Sequence, residues 1–196
     1  MRHADLRQRL LRAAEQEIAS CGPAKASLRA IARRVGVSHQ ATAHHFDDRA
    51  GLFTALAVEG FELLLEKATA AVEQVEEAGG AAGAAVAASG AAYVAFARQH
   101  PTMFDVMFRP ELLHTDDPRL IDVRRLHRDL MVQVVAAAQA RGWGVAVPTE
   151  ELATVGWATV HGLAVLERDG QLGEVLPEVD HAQLLERVAR ALDALA

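Results

Sequence analysis

A chain of 196 residues, 51% of them hydrophobic, is long enough to bury a substantial core as one large domain or two small ones, which excludes a disordered chain. Proline is scarce and alternation at period two is missing, so the class is all-α, and the single cysteine, Cys21, excludes an intramolecular disulfide and fits a reducing cytoplasm. The net charge of −6 argues against nucleic acid only as an average: residues 1 to 49 hold nine Lys/Arg against five Asp/Glu, and the remainder holds eleven against twenty-one, so a basic head sits on an acidic body.

A first helix is expected from about residue 4 to 20, with Leu6, Leu10, Ala14 and Ile18 on one stripe and Leu11 beside it. Its Arg2, Arg7, Arg9 and Arg12 stand among leucines without a continuous apolar core or a small-residue cleavage site, which speaks against a secretory signal. Cys21-Gly22-Pro23 ends it. Leu28, Ile31, Ala32 and Val35 then fall on one helical face with Arg29, Arg33 and Arg34 on the rest, and Gly36 supplies the left-handed residue that closes such a helix. Ser38 is a good N-cap for a second short helix. Two short helices joined by a tight glycine turn make a helix-turn-helix, whose second helix enters the major groove of DNA.

Asp47 or Asp48 caps a long fourth helix beginning near Arg49 and carrying Leu52, Phe53, Leu56, Phe61 and Leu64 before it fades at Gly79-Gly80. Phe46 is the expected plug of the core shared by the first three helices. The stretch from Ala78 to Ala97 is uncharged and long enough to span a bilayer, but it is mostly alanine and glycine and reads as a closely packed helix, about 82 to 99. A new start at Pro101 groups Met103, Phe104, Met107 and Phe108, and Arg109 to Pro118 is a polar loop. Further helices are expected at about 118–141, 149–168 and 177–195, nine in all, in two domains, 1–48 and 49–196.

The order of these features resembles the tetracycline-repressor (TetR) family over roughly residues 6 to 57: the leading helix with Ala13-Ala14, the run Ser27-Leu28-Arg29-Ala30-Ile31-Ala32, the turn Val35-Gly36-Val37-Ser38, and His45-Phe46 before a polar cap and Leu52-Phe53. The resemblance implies a homodimeric transcriptional repressor, released from DNA by a ligand and carrying a variable C-terminal helical domain for effector binding and dimerisation. The C-terminal part is similar to the subset with a Trp-His-Gly signature, through Trp157, His161-Gly162 and His100-Pro101. Family members usually carry a tyrosine, whose hydroxyl contacts a phosphate, where this chain has Ala43. Its role is expected to pass to His44, Thr42 or Arg49, or the affinity to be lower.

On the second helix of the motif, His39, Gln40, Thr42, Ala43 and His44 are expected to face outward, with Ala41 and His45 turned in. Gln40 suits a bidentate contact to adenine, His39 a guanine acceptor, and Thr42 a thymine methyl or a phosphate. Ser27 at a helix N-terminus and Arg49 are the candidate phosphate ligands, and the N-cap Ser38 is a further DNA-binding candidate. Arg33 and Arg34 read as solvated charges, internal ion pairs or phosphate contacts. No cysteine or carboxylate joins His39, His44 and His45 at structural-site spacing, so no metal and no cofactor is expected.

The candidate lining of a pocket for a small hydrophobic effector is Tyr93, Phe96, Met103, Phe104, Met107, Phe108, Trp143, Trp157 and His161, although each alone reads more readily as core. The dimer interface is expected on the eighth helix, at Leu152, Val155, Gly156, Thr159, Gly162, Leu163 and Leu166, joined by Leu184, Val188 and Leu192 of the ninth. No metalloprotease, P-loop or Ser/His/Asp pattern supports an enzyme built on a helical bundle. An unswitched DNA-interacting protein is the other alternative, and a thiol sensor at Cys21 a minor one.

Overall fold

The computed structural model describes residues 2–172, 184, 187, 188 and 191, with side chains from residue 5 onward. Its elements are α1 (Arg2–Cys21), α2 (Leu28–Val35), α3 (His39–Phe46), α4 (Arg49–Glu77), α5 (Ala84–Gln99), α6 (Pro101–Met107), a 3-10 turn (Pro110–Leu112), α7 (Pro118–Gln139) and α8 (Thr149–Arg168). Among the described residues there is no strand, and no helix is long and apolar enough to cross a membrane. Leu184, Arg187, Val188 and Ala191 are helical, while the remainder of the ninth helix expected over 177–195, Leu192 included, lies outside the described residues. The chain divides into two compact units, one formed by residues 1–62 with 100–124 and the other by 63–99 with 125–196.

In the first unit, α1 packs on α2 and on α6, and α2 on α3. Leu10, Leu11, Ala14 and Ile18 of α1 are buried with Ile31 and Ala32 of α2 and Phe46 of α3, as the apolar stripes require. The Arg7 guanidinium lies 5.4 Å from the centre of the Phe46 ring. Pro101 occupies the first turn of α6, where a missing N–H costs nothing. Its Met103, Phe104 and Met107 are buried, and Phe104 and Phe61 each meet Phe108, at ring distances of 5.2 and 5.5 Å. Gly60 lets α6 approach α4, since a Cβ there would lie 2.6 Å from the Met107 sulfur.

The joint between α3 and α4 is tight. Asp47 has φ 58 and ψ −61, and the Asp48 N–H donates to the Phe46 carbonyl two residues back at 2.6 Å, which makes a γ-turn centred on a non-glycine residue. Backbone of this kind costs on the order of 1–3 kcal/mol. The Asp48 carboxylate caps α4 by accepting the Gly51 N–H at 2.7 Å. That bond, seconded by His114 at 2.9 Å, holds the Asp48 carboxyl below its usual range despite some opposing desolvation. The backbone N–H of His114 in turn donates to the buried Thr54 hydroxyl at 2.9 Å. Any side chain at residue 51 would place its Cβ 2.1 Å from the Phe46 carbonyl oxygen, so glycine is required there for space.

In the second unit α5 packs along α8, and a Cβ on Gly90 would lie 3.0 Å from Val160. Arg98 and Glu167 pair across the same two helices at 2.9 Å. Gln139 holds the loop between α7 and α8: its amide donates to the carbonyls of Gly144 and Val147, both at 2.8 Å, and accepts from Thr149 at 2.7 Å. Trp143 from this loop is buried with Val135, Ala138, Leu152 and Ala153, beside Gly83, where a Cβ would come 2.6 Å from its indole nitrogen.

Candidate nucleic-acid interface and cavity

The helix-turn-helix is built from local signals. Ser27 caps α2 by accepting the Ala30 N–H at 3.2 Å, and Ser38 caps α3 by accepting the Ala41 N–H at 3.2 Å. Gly36 is left-handed at φ 74; its N–H donates to the Arg33 carbonyl and the Val37 N–H to the Ala32 carbonyl, closing α2 in the doubly bonded glycine cap. The Arg9 side chain donates to the Val35 carbonyl at 3.0 Å. Arg34 is committed to an ion pair with Glu17 of α1 and a bond to Ser20, while Arg29 and Arg33 are exposed. Cys21 is half-buried, its thiol donating to the Glu17 carbonyl at 3.2 Å.

The outward face of α3 carries His39, Gln40 and His44, all exposed, with Ala43 half-buried between them. Its inward face is Thr42 and Phe46. Thr42 therefore departs from the expectation: it is 0% exposed, and its hydroxyl is turned to the Ser38 carbonyl at 3.5 Å. A threonine oxygen that bonds back along its own helix can occupy a core position without an orphaned polar group. Arg49 also departs from its expected place at a phosphate. It donates to the carbonyls of Ala24 and Ala26 at 3.1 and 3.3 Å and lies 5.3 Å from the centre of the Phe53 ring, so it ties the loop before α2 to α4. Among the described residues no three His, Cys, Asp or Glu are gathered to hold a metal ion.

The second unit contains a cavity of about 70 Å³ lined by α4, α5, α7 and α8 and by Val188. Its wall is apolar except for Ser89, Tyr93, His127 and Trp157. The Tyr93 hydroxyl shares a 2.7 Å hydrogen bond with Nδ1 of His161, which stands behind it. Burial raises the Tyr93 pKa well above its ordinary value, a rise that the nearby Trp157 N–H slightly opposes. That indole nitrogen is nevertheless buried without a hydrogen bond. Burial pushes the His127 imidazole down to about 4, and burial together with the charge of Arg168 lowers His161, so both rings are neutral near pH 7.

Of the residues expected around an effector, Tyr93 and Trp157 line this cavity and His161 is bonded to one of them. Phe96 is fully buried elsewhere in the second unit. Met103, Phe104, Met107 and Phe108 belong to the first unit, where they fill its core around Gly60 and Phe61, and Trp143 sits in its own cluster. His127 and Met131 were not anticipated. A signal for His127 exists, because it interrupts the otherwise apolar α7 stripe of Leu120, Val123, Val134 and Ala138 at helical spacing.

Along α8, Val155 is 49% exposed and Leu166 40% exposed. Thr159, Gly162 and Leu163 between them are half-buried, and open space surrounds the Cβ positions of Gly156 and Gly162. Leu152, expected on the same face, is instead 4% exposed because it packs against Trp143 and Val135 inside its own chain, and Gly156 is part of the cavity wall.

Residues 10–56 match the family model for bacterial regulatory proteins of the tetR family, and residues 86–192 match that of the tetracyclin repressor-like C-terminal domain. No curated protein matches the chain. Among solved structures, a protein of unknown function from Rhodococcus sp. RHA1 is 31% identical, with a TM-score of 0.79 over 95% of this chain and 92% of that one. A transcriptional regulator from Rhodococcus sp. Rha1 is 25% identical, with a TM-score of 0.65 over 96% and 94%. The fatty acid degradation regulator FadR from Bacillus halodurans, 15% identical, shares the fold with a TM-score of 0.72 over 95% and 94%. A capped helix-turn-helix followed by a helical domain, with both parts matched, defines a DNA-binding transcriptional regulator. The chain belongs to the tetracycline-repressor (TetR) family.

Proposed function

We propose that the protein is a repressor that binds a near-palindromic operator as a homodimer and is released by a small hydrophobic effector, with residues 1–48 as the DNA-binding domain and 49–196 as the ligand-binding and dimerisation domain. The observation that carries this reading is the face of α3, where His39, Gln40 and His44 are exposed while Thr42 and Phe46 anchor the opposite side. Gln40 has the donor and acceptor needed for a bidentate contact to adenine, and His39 can donate to a guanine acceptor. The exposed Ser27 end of α2 suits a phosphate, and the exposed Ser38 at the start of α3 is a further DNA-binding candidate. The Val155, Thr159, Gly162 and Leu166 stripe of α8 gives a second copy a face to dock on, extended by Leu163, Leu184 and Val188.

A dimer would present two copies of α3 about 34–36 Å apart, one helical turn of DNA, or a multiple of that distance. An effector that prefers a conformation with the wrong spacing lowers operator affinity by its differential affinity for the two states and by nothing else. The test is an electrophoretic shift of a duplex carrying the protein's own upstream region across a salt series. Specific binding that weakens steeply with salt is expected, and Gln40→Ala should narrow the gap between operator and unrelated DNA by about 10-fold or more while changing unrelated DNA little. Folded protein that binds no upstream fragment at low salt would refute the assignment.

A further inference from the structure

We propose that the cavity of the second unit selects a neutral, largely apolar molecule bearing one hydrogen-bond-accepting oxygen of the ketone or ester type, which Trp157 receives. This inference rests on the reading of that cavity as the effector site and names the chemistry it admits.

Among the described residues no Lys, Arg, Asp or Glu lines the cavity. The one basic group among its described lining residues is His127, 7% exposed, and burial that favours the neutral ring leaves no cation among them to meet an anion. A carboxylate entering would lose its hydration and gain no counter-charge, at a cost of several kcal/mol. An ammonium group would find the faces of Tyr93 and Trp157, an attraction of about 2 kcal/mol when desolvated, and the neutral Ser89 and His127, but among the described residues no carboxylate to balance its charge. Both charged classes are therefore disfavoured by the wall itself.

A pure hydrocarbon is also a poorer match. The Trp157 N–H is buried without a bond, and the Tyr93 hydroxyl is already engaged with His161 at 2.7 Å. A buried donor left unpaired costs about 1–3 kcal/mol. A ligand oxygen brought to Trp157 removes that cost, which a hydrocarbon of the same shape leaves in place.

The cavity's size adds a condition. About 70 Å³ is roughly half of an apolar cavity that holds benzene, at about 150 Å³. A ring-sized ligand must push the wall outward, and the unbranched Met131 is the lining side chain best able to move. Binding is thereby coupled to a change in how α7 and α8 stand around the cavity.

The test uses the full-length protein and four molecules of similar skeleton: acetophenone, benzoate, benzylamine and ethylbenzene. The two indole N–H resonances in a ¹H–¹⁵N spectrum, assigned with Trp143→Phe, report on the cavity directly through Trp157 and on the adjoining cluster, which shares Val135 and Ala153 with the cavity wall, through Trp143. Acetophenone is expected to move the Trp157 resonance downfield in a saturable way, and to bind at least about 10-fold more tightly than benzoate or benzylamine and about 10-fold more tightly than ethylbenzene. Trp157→Phe should remove most of the advantage over ethylbenzene while leaving ethylbenzene within about 3-fold of its original affinity. Benzoate, benzylamine or ethylbenzene binding as tightly as acetophenone would overturn the proposed selectivity and leave the cavity as an effector site. If no compound moves Trp157 more than Trp143 at millimolar concentration, the effector-site reading falls, and the selectivity with it.

Discussion

His127 stands where an apolar residue would continue the α7 stripe, and its burial favours the neutral ring. The folded protein protonates it near pH 4, the unfolded chain near 6.5, so between these values the unfolded state holds more protons. Stability is fully present above about pH 6.5 and declines as the pH falls toward 4, by on the order of 3 kcal/mol. His161 is shifted in the same direction, whereas Asp48 contributes its loss only below the ordinary carboxylate range. Urea unfolding across this window should give a flatter dependence on pH for His127→Gln than for the wild type; parallel curves would contradict the assignment. Single residues were legible where their role is local. Ser27, Gly36 and Ser38 each answer a demand made within four residues, and each stands where its type implies. Thr42 was not legible, because in His-Gln-Ala-Thr-Ala-His three adjacent small side chains compete for one inward position. Arg49 was hidden for another reason: a long cation serves carbonyls or phosphates equally well, and the carbonyls of Ala24 and Ala26 are closed upon only after folding.

Among the elements, α8 serves two sides. Leu152 and Ala153 turn into the chain's own core, whereas Val155, Thr159, Gly162 and Leu166 recur at intervals of four, three and four residues, the spacing by which two helices share a seam. Glutamate at both Val155 and Leu166 should leave the folded protomer within about 0.5 kcal/mol of its original stability, since both side chains are largely exposed. Placed in a shared seam, the same charges should weaken association by about 100-fold or more, read as a halved mass by light scattering at micromolar concentration. An unchanged mass would put the interface elsewhere. The contrast with α6 explains what an apolar pattern leaves open. Met103, Phe104 and Met107 have the composition of an adaptable pocket, but what buries them in the core of the first unit is Gly60, more than forty residues earlier, and helical spacing carries no trace of that pairing.

For the molecule as a whole, class was the most legible property, because charge, caps and apolar stripes sum over many residues that agree. The surplus of positive charge falls within the first 49 residues, so long-range attraction to DNA is confined to the end that carries α3, and the acidic remainder opposes unspecific contact. The cavity was the least legible, since it depends on how α4, α5, α7 and α8 meet rather than on any one of them. The γ-turn at Asp47 bears on how such a molecule tolerates mutation. Residue 51 has no side chain with which to touch a base, yet Gly51→Ala drives a methyl group onto the Phe46 carbonyl and disturbs the exit of α3. It should lower stability by about 1–3 kcal/mol in denaturant and depress operator binding together with it. A mutational scan scored only by repression would therefore mark glycine 51 as strongly as Gln40. Only a parallel measurement of folding would separate the residue proposed to read DNA from the one that leaves room for a carbonyl.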